Sequence, residues 1–171
     1  ISVVAGGGYS VQQPEFSPSG KYMAYLSDET GYLHVYVRNL ATGQTKQIDF
    51  GESDLGGPAW VQGLHHYAWH PLTNDLIVAK RTEGTYSLFR CGLDGSKEPI
   101  YTHLDYSVYL QPSFSQSGKL ALIVSSSQIP TRVISVDQSE EIVHAYSIPE
   151  RIKPTEFSVL KPLSWIEKKT N

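Results

Sequence analysis

Two stretches of this chain nearly repeat each other: QPEFSPSGKYMAYLSD from Gln13 and QPSFSQSGKLALIVSS from Gln111. A third, degraded copy, HHYAWHPLTNDLIVAKRT, begins at His65 and makes Phe16, Trp69 and Phe114 equivalent positions, 53 and 45 residues apart. Periods of about 40 to 50 residues are those of β-propeller blades, each a sheet of four strands that cannot bury both faces alone. Repetition at this spacing restricts the chain to stacked antiparallel sheets more sharply than any property of its 171 residues taken together.

Each copy divides into four strands. The first is short and ends at the aromatic: QPEF, HYAW, QPSF. The turns that follow, SPSG, HPLTN and SQSG, supply hydroxyl caps, a preset φ at Pro and positive φ at Gly. The second strands are apolar (KYMAYLS, DLIVAKR, KLALIVS), the third are YLHVYVRNL, TYSLFRCGL and TRVISVD, and the fourth are poorer edges, QTKQIDF, KEPIYTH and EEIVHAYSI. ATGQ, DGSK and DQSE between third and fourth strands have the composition of tight hairpin turns. In the third strand of the first copy, Leu33, Val35 and Val37 lie on one side and His34, Tyr36 and Arg38 on the other. Stacked blades can cover both faces, so His34 and Tyr36 on the second side need not be exposed.

The expectation is an all-β, β-propeller fragment of three four-stranded antiparallel blades at about 9–50, 60–103 and 107–148. ISVV at the start reads as a strand remnant of a preceding blade (1–8), and 149–171 reads as an exit segment. Each repeated aromatic is expected to pack between neighbouring sheets. Three blades do not close a ring, since about four is the minimum. The outer faces of the first and last blades would then be apolar and open, inviting self-association of two copies or marking a piece of a longer chain.

Composition agrees with a folded domain: 40% hydrophobic and 18% charged residues argue against disorder. Eleven tyrosines and three tryptophans among many Val, Ile and Thr favour strand. A formal net charge of −3 with scattered Lys and Arg offers no basic stripe for a phosphate backbone, so nucleic acid is not an expected partner. No apolar run approaches the ~18 residues of a membrane span, and the first ten residues lack the charged start and length of a signal peptide. A single cysteine, Cys91, and the absence of an N-x-[ST] sequon fit a cytoplasmic protein.

The residues at this point resemble a known group. FSPSGKYMAYLSDETGYLHVYVRNLATGQTKQI from Phe16 resembles a propeller blade of the prolyl oligopeptidase (S9) family of serine peptidases, and TolB-type propellers use a similar blade. ESDLGGPAWVQGLHHYAW from Glu52 resembles the joint between consecutive blades in the acylaminoacyl-peptidase-like branch. YSIPERIKPTEFSVLKPLSWI from Tyr146 resembles the passage from propeller to hydrolase domain. The resemblance implies a parent with an N-terminal propeller that screens peptide access to a C-terminal α/β-hydrolase domain, which would lie beyond Asn171. It implies a noncatalytic role for this chain, with a peptide substrate and the hydrolase domain as partners. The alternative is a free-standing TolB-like module that binds a protein.

Chemistry within the chain is sparse. A nucleophile elbow needs G-x-S-x-G, because only small neighbours permit the turn that exposes the serine, and the sequence has none. No catalytic residue is therefore assigned. His65, His66 and His70 cluster, with His66 and His70 expected on one face of a strand, but they lack the three or four converging ligands zinc needs, so no metal or other cofactor is expected. AGGG at residues 5–8 lacks the Lys-Ser/Thr of a phosphate loop. Cys91, alternating with Phe89, reads as a buried inert thiol. The functional candidate is the long acidic loop DFGESDLGGPAWVQG: Glu52 and Asp54 would attract the free amino end of a peptide, and Trp60 would stack on a side chain. The competing reading makes Trp60 a plug between blades and the two acids solvated.

Overall fold

The structure, a computed structural model, describes residues 3–137, 140–148, 154–161 and 163–165. Three antiparallel sheets follow one another along the chain, each a meander. The first holds β1 (Val11–Phe16), β2 (Tyr22–Ser27), β3 (His34–Asn39) and β4 (Thr45–Ile48). The second holds β5 (Tyr67–Trp69), β6 (Leu76–Thr82), β7 (Thr85–Cys91) and β8 (Lys97–Ile100), and the third β9 (Val108–Phe114), β10 (Leu120–Ser125), β11 (Arg132–Asp137) and β12 (Glu140–Tyr146). This is the expected all-β propeller fragment, with a single 3-10 turn at Pro154–Glu156 among the described residues. No described helix is long and apolar enough to cross a membrane. Val3 and Val4 form no strand; Ile1 and Ser2 lie outside the described residues, as do Gln138 and Ser139 of the third hairpin turn and much of the exit segment.

The shared phrase makes the same corner three times. Gly20 and Gly118 take φ of 67° and 89°, and the second copy puts Asn74 there at 60°. Asn is the substitute expected in a left-handed position, since its short polar side chain lowers the cost that other side chains meet. The paired prolines have an equally local cause. Gln13 and Gln111 also have positive φ, 50° and 54°, and the pairing of β1 with β2 and of β9 with β10 breaks register beside them. Pro14 and Pro112 thus sit in bulges on edge strands, where a missing N–H costs no ladder bond.

Burial explains the continuous apolar run of β6. Leu76 and Val78 join Leu26, Val35, Leu55 and Trp69 in a core between the first two sheets, while Ile77 and Ala79 join Leu122, Val124 and Ile134 between the second and third. A central blade covered on both faces needs apolar residues at every position, each large one contributing about 1.5–3 kcal/mol. On the far side of the first sheet, Tyr25 and Tyr36 stack at 5.6 Å and His34 is buried between Thr30 Oγ1 (3.0 Å) and the carbonyl of Gly51 (3.1 Å). His34 and Tyr36 are therefore buried on this side, whereas Arg38 is only partly so.

One packing expectation fails. Trp69 is buried and Phe114 partly so, but Phe16 is 68% exposed. The reason is directional: each aromatic leans toward the sheet before its own. Trp69 Nε1 donates to the Glu15 carbonyl of the first sheet (3.4 Å), and Phe114 meets His70 of the second edge-on at 4.9 Å. Phe16 belongs to the first sheet and has no described sheet on that side.

Candidate functional site

The innermost strands β1, β5 and β9 are tied together through the bulged glutamines. The Gln13 side-chain oxygen accepts from the backbone N–H of His66 (3.0 Å), and that of Gln111 accepts from His65 (2.7 Å) while its Nε2 donates to the Gly63 carbonyl (3.2 Å). Tyr67 donates its hydroxyl to the Gln13 carbonyl. Turning left-handed at each bulge aims the side chain across to the neighbouring blade instead of along its own ladder. Both glutamines belong to the repeated phrase, yet their role was not legible there, because a strand pattern says nothing about a positive φ at a polar residue.

Between these strands lie two adjoining hollows. One, of ≈ 440 Å³, is bounded by Gln13, Pro14 and Glu15 and by the loop 59–65; the other, of ≈ 620 Å³, by Phe16, Trp69, Gln111 and Phe114. They share Glu15, Gly63 and His65. The Glu15 carboxylate meets His65 Nδ1 at 2.7 Å. Burial holds the Glu15 carboxyl above the usual carboxylate range, and the neighbouring imidazole pulls it partly back. The combination is a half-buried carboxylate among aromatic and amide groups, suited to holding a cationic amine.

The three residues singled out in the loop go to different places. Trp60 is 85% exposed, so within this chain it plugs no blade junction, and it borders the first hollow with Val61. Glu52 is exposed on the same loop. Asp54 is already engaged: one carboxylate oxygen accepts from the Leu33 N–H (3.0 Å), the other from Arg81 Nη2 (2.8 Å), and its backbone bridges to Arg81. The carboxylate that borders the hollow together with Trp60 is that of Glu15, which the sequence hid inside a strand motif.

The clustered histidines disperse. His65 turns to Glu15, His66 packs on Gly57, and His70 lies against Phe114, and His66 and His70 flank β5 instead of sharing a strand face. Burial lowers both His66 and His70 from their ordinary value. Among the described residues no group of three or more His, Cys, Asp or Glu comes together to hold a metal. Cys91 is buried, and burial pushes its thiol up to about 12, which keeps it protonated at neutral pH. Ser135 Oγ and His144 Nε2 are 2.7 Å apart, with Ser135 buried, and form a hydrogen bond across β11 and β12.

Fold and site together define a β-propeller class of protein in which the inner strands frame a groove. Among solved structures the chain is similar to a puromycin-hydrolyzing peptidase of Mycobacterium tuberculosis, with a TM-score of 0.73 at 20% identity over 86% of this chain and 22% of that one. It is likewise similar to a puromycin hydrolase, with a TM-score of 0.76 at 18% identity over 91% of this chain and 23% of that one. Among curated proteins it is 28% identical, over 85 residues, to a TolB homologue of Chlorobaculum tepidum, covering 50% of this chain and 17% of that protein. No family model matches the chain. The chain thus has the propeller fold of these peptidases and spans less than a quarter of their length.

Proposed function

We propose that this chain is a noncatalytic β-propeller portion of a cytoplasmic serine peptidase of the prolyl oligopeptidase family, in its acylaminoacyl-peptidase-like branch, gating and shaping peptide access to an α/β-hydrolase domain. The observation that carries the reading is the groove on the inner strands, where the Glu15–His65 pair and the Trp60 loop share one wall. Glu15 receives the amino end of a peptide and Trp60 covers a side chain. Glu52 adds attraction from the loop, and Asp54 acts indirectly by holding the loop to Leu33 and Arg81. Titration of the chain with a tripeptide bearing an aromatic first residue, free or N-acetylated, tests this. Binding by the free form that falls at least about tenfold on acetylation, and again in Glu15→Gln and Trp60→Ala, supports it. Equal binding of both peptides contradicts it.

The TolB-like alternative, a module that holds a protein partner, is favoured by the 28% identity to the TolB homologue. In that case the exposed Trp60 and Val61 would contact protein, and acetylation of a peptide would be without effect.

A further inference from the structure

Among the described residues that line the two inner hollows, Glu15 and His65 alone carry ionisable side chains, and each borders both hollows. Glu15 comes from β1 and His65 from the loop before β5, with Oε1 and Nδ1 2.7 Å apart. Water reaches both: the imidazole side chain is 48% exposed and the carboxylate side chain 29%. The charge of the groove is therefore set by this pair. With the carboxylate ionised, the groove is negative while the imidazole is neutral and uncharged once the imidazole takes a proton.

The ring is kept beside Glu15 in either state. The His65 N–H donates to Gln111 Oε1 of the third blade (2.7 Å), and Gln111 Nε2 donates to the Gly63 carbonyl (3.2 Å). These bonds hold the backbone of the loop and do not depend on the charge of the ring.

The neighbouring titratable groups leave that balance unchanged. His66 is lowered chiefly by burial, against a backbone hydrogen bond at Gly57, and the charges of His65 and Arg81 lower it further, so it resists protonation. Tyr67 of β5 donates to the Gln13 carbonyl, and burial and the Glu15 charge raise its hydroxyl, which stays protonated. β9 faces the hollows with Gln111, Pro112 and Ser113, none of which ionises.

We infer that His65 is a built-in competitor for the Glu15 carboxylate: protonated, it occupies Glu15 and excludes the amino end of a peptide, and neutral, it leaves Glu15 to that amine. The inference rests on Glu15 as the amine site of the proposed function and adds the regulation of that site. Two cations on one half-buried carboxylate repel each other, whereas a neutral imidazole beside an ammonium carries no such penalty. Imidazoles change charge between about pH 5 and 8, and a peptide amino end stays cationic up to about pH 7.7. Over that window the ligand keeps its charge while the groove changes its own. Proton and amine compete, so amine affinity rises with pH, and bound amine in turn lowers the proton affinity of the ring.

The test is titration of the intact chain with the tripeptide bearing an aromatic first residue, free and N-acetylated, at about pH 5.5 and about pH 7. The His65 ring resonances are followed by NMR across pH in each complex. The free peptide is expected to bind about fivefold or more tightly at the higher pH and to lower the midpoint of the ring's titration, and the acetylated peptide to do neither. His65→Gln keeps a neutral donor beside Glu15 and should bind the free peptide at about pH 5.5 roughly threefold or more tightly than the unaltered chain. If that variant folds poorly, the midpoint shift in the unaltered chain decides the matter. A preference for the free peptide that leaves the ring's midpoint unmoved, or raises it, overturns the competition while Glu15 stands as the amine site. Equal binding of the two peptides overturns both.

Discussion

The carboxylate of Asp54 bridges two blades: 2.8 Å from Arg81 Nη2 of the second and 3.0 Å from the Leu33 N–H of the first. The loop between them is thereby pinned at its middle, and Leu55, the next residue, is fully buried in the core between the sheets. Asp54→Asn should lower stability by about 1–2 kcal/mol, the backbone bond being charge-assisted and the half-exposed Arg81 pair contributing less. Urea denaturation of Asp54→Asn, Arg81→Met and the double variant checks this. The double variant should lose less than the sum of the singles; strict additivity would mean that the two side chains act separately.

A second outcome concerns pH. Burial lowers His66 and His70 below their ordinary value near 6.5; beside His70 the Arg90 charge lowers it further and Asp75 opposes. A group whose folded pKa is depressed adds stability that is complete above the unfolded value and is lost as pH falls through the folded one. Melting temperature should therefore decline as pH drops below about 6.5, and His66→Asn with His70→Asn should flatten that decline. An unchanged pH profile in the double variant would refute the assignment.

Neighbouring glycines in the same loop should behave differently. A Cβ on Gly56 would lie 2.9 Å from Leu26 Cδ1 in a fully buried side chain, whereas one on Gly57 would make an ordinary 3.4 Å contact with His66. Gly56→Ala should cost about 1–3 kcal/mol through overpacking and Gly57→Ala less than about 0.5 kcal/mol, read as midpoint shifts at constant m. Neither glycine has positive φ, so equal losses in the two variants would rule out crowding at Leu26 as the cause.

Gln111 carries two bonds into the second blade from a left-handed backbone. Gln111→Ala removes both and keeps the unfavourable φ, so a loss of about 1–3 kcal/mol is expected. Gln111→Gly loses the same bonds but relieves the backbone, and it should be the milder change. Thermal unfolding of the two variants gives the order directly, and a milder Gln111→Ala would show that the positive φ is not a cost.

Strand identity was legible because apolar alternation and turn chemistry are local. The phrases ending at Phe16, Trp69 and Phe114 locate twelve strands to within two or three residues, and Asn74 stands where its sister copies put glycine. The site was far less legible. Asp54 reads from sequence as a free acid on a loop, and only the closure of that loop onto Leu33 and Arg81 turns it into a clasp. Glu15 reads as an edge-strand residue, and only the next blade brings His65 to it. These contacts join residues from 21 (Leu33 and Asp54) to 50 (Glu15 and His65) positions apart, and no periodicity within one blade encodes them.

The peptidase reading is tested most directly by the intact mass of the product of the native gene, combined with labelling by a serine-directed fluorophosphonate. A product some four to five times the 19.0 kDa of this chain, consistent with its spanning 22–23% of the similar peptidases, and labelled at one serine outside residues 1–171, is the predicted result. An unlabelled product of this chain's own mass would contradict it.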